Sequence, residues 1–117
     1  MGEPLEMLRS TKDFAALQGS SRSRAHPLLI LRWRDNGLGH ERIGLSTGRR
    51  VGNAVVRNRV RRRLREVLRQ SVHRPLGGWD LLVVARPASA AASYIELKAA
   101  MERLLDRLVK DEGSRST

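Results

Sequence analysis

Between Arg49 and Arg69 the chain places nine arginines and one glutamate, hence a net charge of +8 over 21 residues. The chemistry open to such a stretch is anion binding, because the guanidinium is a planar fork of donors that matches phosphate oxygens and stacks on bases. Spacing separates this run from a charged tail. Val56, Val60, Leu64, Val67 and Leu68 recur at helical period within an arc of roughly 120°. The opposite arc holds Asn58, Arg61, Arg62, Arg65 and Arg69, with Arg57, Arg59 and Arg63 on the flanks. A stripe of that kind docks the helix on a core, so the arginines project from a rigid element and need no ordering on binding. If ~6 phosphates are neutralised, the log–log dependence of binding on salt has a slope of about −4 to −5. Upstream, Val51-Gly52-Asn53-Ala54 leads into the helix. Its small residues let a polyanion backbone approach free N–H groups at the helix start; a plain turn before a helix is the equally open reading.

Other chemistries find no support. The chain lacks cysteine, which excludes disulfides, thiolate metal sites and a Cys nucleophile. His26, His40 and His73 lie in three separate segments without metal-ligand spacing. No Ser-His-Asp arrangement is visible, and Asp13, Glu66 and Asp80 read as structural, so no catalytic or metal-binding residue is expected. Gly44-Leu45-Ser46-Thr47-Gly48-Arg49-Arg50 fails as a phosphate loop, having three residues between its glycines where four are needed and no Lys-Ser/Thr after them.

Over all 117 residues, 23 Lys and Arg face 12 Asp and Glu, a formal charge of +11, and all but Lys12, Lys98 and Lys110 of the cations are arginine. Such a surplus calls for a polyanionic partner. The acidic opening Met1-Gly2-Glu3-Pro4-Leu5-Glu6 reads as no signal peptide, and the apolar runs Leu28–Leu31 and Leu81–Ala85 are too short to span a bilayer. A cytoplasmic protein without membrane contact is expected. Charge alone leaves single-stranded DNA, duplex DNA and RNA open. No heptad seam follows the basic stretch, which disfavours a zipper. Seven arginines over residues 57–69, with Asn58 the lone short amide, suit backbone contacts better than base reading.

The elements that must carry these residues follow from period and turn chemistry. Residues 1–9 read as a frayed arm. Ser10-Thr11-Lys12-Asp13 opens a short helix with Phe14 and Leu17 as its apolar stripe, ended by Gly19-Ser20-Ser21, and residues 19–26 read as loop. Leu28–Arg34 alternates, with Leu29, Leu31 and Trp33 on the core side. Asn36-Gly37 is turn chemistry, and Arg42–Thr47 follows as a second strand with Ile43 and Leu45 inward, the two forming an antiparallel hairpin. Its outer face carries Arg32, Gly44 and Ser46, a low polar surface fit for a ligand backbone. The basic helix spans Val55–Val72 and stops at Pro75-Leu76-Gly77-Gly78. Trp79–Ala85 is almost continuously apolar, as in a central strand buried on both faces, and Arg86-Pro87 ends it. Ser93-Tyr94-Ile95-Glu96 is a capping box for a last helix with Leu97, Met101, Leu104, Leu105 and Leu108 inward. From Asp111 the tail reads as disordered. The expected architecture is α+β, a two-layer α-β sandwich on a small, mostly antiparallel sheet. One domain is expected over residues 1–117, with 1–9 and 111–117 as flexible tails.

Arg42-Ile43-Gly44-Leu45-Ser46, followed by the run from Arg49-Arg50-Val51-Gly52-Asn53-Ala54 through Arg57-Asn58-Arg59 to Glu66, closely resembles the protein component of bacterial ribonuclease P. The likeness reaches Lys12-Asp13-Phe14, Asp80–Pro87 and the last helix, and so covers most of residues 8–110. It implies a left-handed β-α-β crossover carrying the basic helix, against the usual right-handed rule. It also implies that this one domain is RNA-binding, its partner a large catalytic RNA that removes the 5′ leader of precursor tRNA with Mg²⁺ held mainly by RNA, none being expected on the protein alone. No obligate protein partner is expected. By residue match Arg49, Arg50, Asn53, Arg57, Asn58, Arg59, Arg61, Arg62, Arg65 and Arg69 contact the catalytic RNA or organise that surface. Phe14, Gln18, Arg32 and Ser46 map to a cleft for the leader. Gln18 and Arg32 stand where the family often has aromatics, so leader recognition here is expected to be more electrostatic than stacking. The rival readings are a non-catalytic RNA-binding accessory protein, of ribosomal or RNA-chaperone type, and a basic DNA-binding regulator.

Overall fold

The computed structural model describes residues 6–8, 17, 21–71 and 78–113. Strands β1 (Glu6–Met7), β2 (Arg22–Ala25), β3 (Leu29–Asp35), β4 (Arg42–Thr47) and β5 (Trp79–Ala85) form one sheet in the order β1-β4-β5-β3-β2. Helix α1 (Ala54–Ser71) joins β4 to β5, and helix α2 (Tyr94–Gly113) follows β5. Short 3-10 turns at Arg49–Val51 and Pro87–Ala91 lead into the two helices.

Strand β5 lies at the centre, as its unbroken apolar run requires. Its neighbours are β4, parallel, and β3, antiparallel. This corrects the expected hairpin: β3 and β4 are consecutive in the chain but β5 is inserted between them. The reason is burial. Leu81, Leu82 and Val83 are apolar on both faces, so β5 gains most with a strand on each side. The sheet is consequently mixed, with β1–β4 and β4–β5 parallel and β2–β3 and β3–β5 antiparallel, where a mostly antiparallel one was expected. The parallel share comes from the β4-α1-β5 crossover.

Two further differences concern polar segments. Residues 22–25, expected as loop, form the edge strand β2, whose largely exposed Arg22-Ser23-Arg24-Ala25 carries no apolar alternation because backbone pairing to β3 and ion pairs of Arg22 and Arg24 with Glu112 and Asp111 hold it. A charged edge of this kind also resists pairing with other chains. Within the expected frayed arm, Glu6–Met7 pairs with β4 and Leu8 is buried.

Alternation assigns the sheet two faces. Leu29, Leu31, Trp33, Ile43, Leu81 and Val83 face the helices, meeting Val60, Leu64, Val67 and Leu68 of α1 and Leu97, Met101, Leu104 and Leu108 of α2. The stripe expected on α1 is the one that is buried, with Val56 packed at its margin. On the other face Leu82 joins Leu8 and the helical residue Leu17 in a smaller cluster, with Val84 at its edge. The remainder of the expected first helix, including Phe14 and Gln18, lies outside the described residues, as does the Pro75–Gly77 stop.

Helix α2 begins with the expected capping box: Glu96 N–H donates to Ser93 Oγ (3.1 Å) and Ser93 N–H to Glu96 Oε1 (2.9 Å). Its end corrects the sequence reading. Asp111 and Glu112 continue the helix, because Asp111 pairs with Arg24 (2.8 Å) while Glu112 pairs with Arg22 (3.0 Å) and accepts from Trp33 Nε1 (3.1 Å). Ion pairs across to β2 and a hydrogen bond from β3 thus order a segment that is polar in composition.

Candidate nucleic-acid interface

The start of α1 is built by two residues. Gly52 has φ of +153°, and a Cβ there would come within 2.9 Å of the Val56 side chain, so only glycine fits without a shift. Asn53 then caps the helix, its Oδ1 accepting from Val56 N–H (3.0 Å) and its carbonyl from Arg57 N–H (2.9 Å). One N–H group open to phosphate in the sequence reading is therefore already taken by Asn53. Just upstream, buried Val51 anchors the 3-10 turn that presents Arg49 and Arg50 to solvent beside the helix start.

The arginines of α1 fall into groups by what they touch. On one flank Arg61 donates through Nη2 to Thr47 Oγ1 (2.8 Å) and through Nη1 to Asn58 Oδ1 (3.0 Å), tying the helix to the end of β4. On the other, Arg59 Nη2 donates to the Ala90 carbonyl (3.2 Å) and Arg63 Nη1 to the Ala92 carbonyl (2.8 Å). These two residues, one helical turn apart, fasten α1 to the segment that leads into α2. Near the C-terminal end Arg69 pairs with Glu66 (2.9 Å). The hydrogen bond from Arg69 holds the Glu66 carboxyl below its ordinary range, but both groups are well exposed and the pair adds little stability.

Arg62 and Arg65 remain, exposed at the front of the helix, with Arg57 half-buried on the flank. Among the described residues Arg49, Arg50, Arg57, Arg62 and Arg65 have no ion pair or hydrogen bond to a protein acceptor. Val55, Asn58, Arg61, Arg62 and Arg65 line a shallow, open groove of about 480 Å³. A surface of this kind offers many donors and no carboxylate, and it can hold a run of phosphates. Of the sequence-expected residues, Asn58, Arg61, Arg62, Arg65 and Arg69 share this side of the helix, with Arg57 on its flank. Arg59 is turned toward the 3-10 segment. The tethering role of Arg59, Arg61 and Arg63 was not visible in the sequence, since two of the acceptors are backbone carbonyls 29 and 31 residues away.

The sheet face away from the helices carries three cross-strand rows. Arg34, Asp80 and Arg42 form the first, Arg32, Leu82 and Gly44 the second, and Ile30, Val84 and Ser46 the third. Arg32 and Ser46 thus share a face as expected, but β5 separates them and they lie in neighbouring rows, so they stand about 12 Å apart, two strand spacings across and two residues along. In the first row Asp80 is completely buried. Arg42 grips it with two bonds of 2.8 Å, Asn36 Nδ2 donates at 3.0 Å, and Arg34 lies at 3.3 Å. Burial pushes the Asp80 carboxyl up, but the hydrogen bonds from Arg42 and Asn36 outweigh it and the net shift is downward. The structural role read for Asp80 holds. Its partners were missed because they lie on β3, on β4 and in the turn after β3; the arginines at positions 34 and 42, on either side of Asn36, were the available signal.

Among the described residues no three His, Asp or Glu side chains are grouped to hold a metal ion, and no helix is long and apolar enough to cross a membrane.

A profile of the Ribonuclease P family matches residues 3–109. The chain is 38% identical over 112 residues to the ribonuclease P protein component of Acidothermus cellulolyticus, covering 94% of this chain and 93% of that one. It is 38% identical over 109 residues to that of Streptococcus mutans, covering 92% and 90%. The solved ribonuclease P protein of Thermotoga maritima superimposes with a TM-score of 0.78 at 25% identity, over 87% of this chain and 96% of that one.

Proposed function

Because the chain belongs to the bacterial ribonuclease P protein family, we propose that α1 docks on the catalytic RNA of that particle while the open sheet face receives the single-stranded leader of precursor tRNA. As the protein subunit of ribonuclease P the chain works in tRNA maturation, within an endoribonuclease whose chemistry is carried by RNA. The division of the arginines into anchored and unanchored groups supports the assignment of surfaces. Arg49, Arg50, Arg57, Arg62 and Arg65 have donors to spare and bind phosphates. Asn53, Asn58, Arg59, Arg61 and Arg69 organise that surface by capping, tethering and pairing.

On the sheet face Arg32 and Ser46 lie along the leader path, with Phe14 and Gln18 assigned to the same path by residue match alone. Arg32 supplies charge where an aromatic is common, so leader binding depends on phosphates more than on stacking. By screening two polyanions from each other, the arginines let substrate and catalytic RNA approach. Mg²⁺ for the hydrolysis is assigned mainly to the RNA: the protein's most buried carboxylate, Asp80, is saturated by Arg42, Asn36 and Arg34. The chain acts as one RNA-binding domain in the cytoplasm and needs no protein partner.

Reconstitution with the cognate catalytic RNA at low Mg²⁺ tests this reading. Precursor tRNA should be cleaved only when protein is added, and a variant with Arg57, Arg62 and Arg65 changed to alanine should lose the stimulation. Full stimulation by that variant would remove α1 from the RNA interface.

A further inference from the structure

A second donor-rich groove lies at the far edge of the sheet, between β2 with its following residues and α2. It has a volume of about 280 Å³, and Arg24, His26, Arg103 and Arg107 supply its polar walls. Arg103 and Arg107 are exposed and sit one turn apart on α2, a like-charge pair that repels in the absence of an anion. Arg103 has no ion pair or hydrogen bond among the described residues. Across the groove Arg24 is held straight by Asp111, its Nε and Nη2 donating at 2.8 and 2.9 Å. His26 Nδ1 accepts from Leu28 N–H (3.0 Å), which leaves the proton of the neutral ring on Nε2. No carboxylate is among the described residues that line the groove; Asp111, the partner of Arg24, is held below its ordinary range first by the Arg24 bond, with Arg107 adding to it. Three guanidinium groups and one imidazole therefore line one groove, and the carboxylate paired to Arg24 is already engaged.

We propose that this groove is a second RNA-backbone site, taking phosphates of the same structured RNA that α1 holds. The idea rests on the reading of α1 above. Helix α1 packs over β4, whereas α2 packs over β3 and β2. Three strand spacings separate β4 from β2 in the sheet, about 14 Å. Two cationic surfaces at that separation grip a folded RNA at two points and fix its orientation, which one helix cannot do.

The test measures binding of the full-length protein to the cognate ribonuclease P RNA transcript across a KCl series. The proteins are the parent, Arg103→Ala/Arg107→Ala, Arg103→Lys/Arg107→Lys and Arg62→Ala/Arg65→Ala. Removing the α2 pair should make the log–log slope shallower by about 1 to 2 and weaken binding independently of the α1 pair. The lysine variant should keep the parental slope. A parental slope and affinity in the α2 alanine variant overturns the proposal, as does an equal loss in the lysine variant, because the effect is then not one of charge. A parental result for Arg62→Ala/Arg65→Ala with a loss at α2 instead refutes the α1 reading and leaves the groove standing.

Discussion

Changing Asp80 to asparagine keeps shape and volume while removing one charge, and the geometry sets its effect. The carboxylate is fully buried and receives two charge-assisted bonds of 2.8 Å from Arg42, one of 3.0 Å from Asn36 and weaker contacts from Arg34 at 3.3 Å. Asparagine retains one acceptor but turns an NH₂ toward an arginine that also needs an acceptor. Arg34 and Arg42 are less than one-third exposed, so water replaces the lost partner incompletely. Breaking such a pair by removing one member costs about 3 kcal/mol, which for a domain of this size lowers Tm by about 10–12 °C. Thermal denaturation of RNA-free protein at neutral pH reads this directly. The sign of the pH dependence follows from the lowered Asp80 value. The carboxylate contributes stability above its unfolded-state pKa of about 3.9 and loses it as pH falls through the lower folded-state value. The gap between parent and variant should therefore hold from pH 7 to about 5 and close in stronger acid. A variant melting within about 2 °C of the parent at pH 7, or a gap that widens on acidification, refutes the account of Asp80 as the clamp of this face.

Other expectations concern single positions. Gly52→Ala should destabilise by about 1–3 kcal/mol in urea titration, since its φ and the 2.9 Å approach to Val56 exclude a Cβ. Arg63→Ala should lower stability more than Arg62→Ala, whereas Arg62→Ala should lower RNA affinity more; denaturation and filter binding of the two variants separate the roles. Arg32→Ala should weaken the dependence of precursor tRNA binding on leader length, measured with a leader-truncation series, and an unchanged dependence counts against the leader path.

Much of the fold was legible because two segments carry strong periodicity. The apolar stripe of α1 located the start of the helix to within one residue, Ala54 against Val55, and the helix runs through Ser71; the expected end at Val72 lies outside the described residues. The unbroken apolar run of β5 marked a central strand, and the Ser93–Glu96 box marked the start of α2. Strand pairing was not legible. Local turn chemistry favours joining β3 to β4, and nothing near Asn36 says that a strand more than 40 residues later is inserted between them. Polar segments misled for the opposite reason: β2 and residues 111–113 are ordered by partners distant in the chain, chiefly Arg22 and Arg24 with Glu112 and Asp111. For the interface, sequence identified which arginines face outward on α1. It could not distinguish Arg59, spent on a carbonyl, from Arg62, which is not.

Strand β5 has one further consequence. Successive side chains of a single extended backbone face the helix layer, through Leu81 and Val83, and the opposite sheet face, through Leu82 and Val84. Leu81 and Val83 share one close-packed core with Val60, Leu64 and Val67 of α1, so the offset between the outer surface of α1 and the face beside Arg32 is set by packing that yields little. On the assignment of surfaces proposed above, the protein would act as a spacer of set thickness between two RNAs.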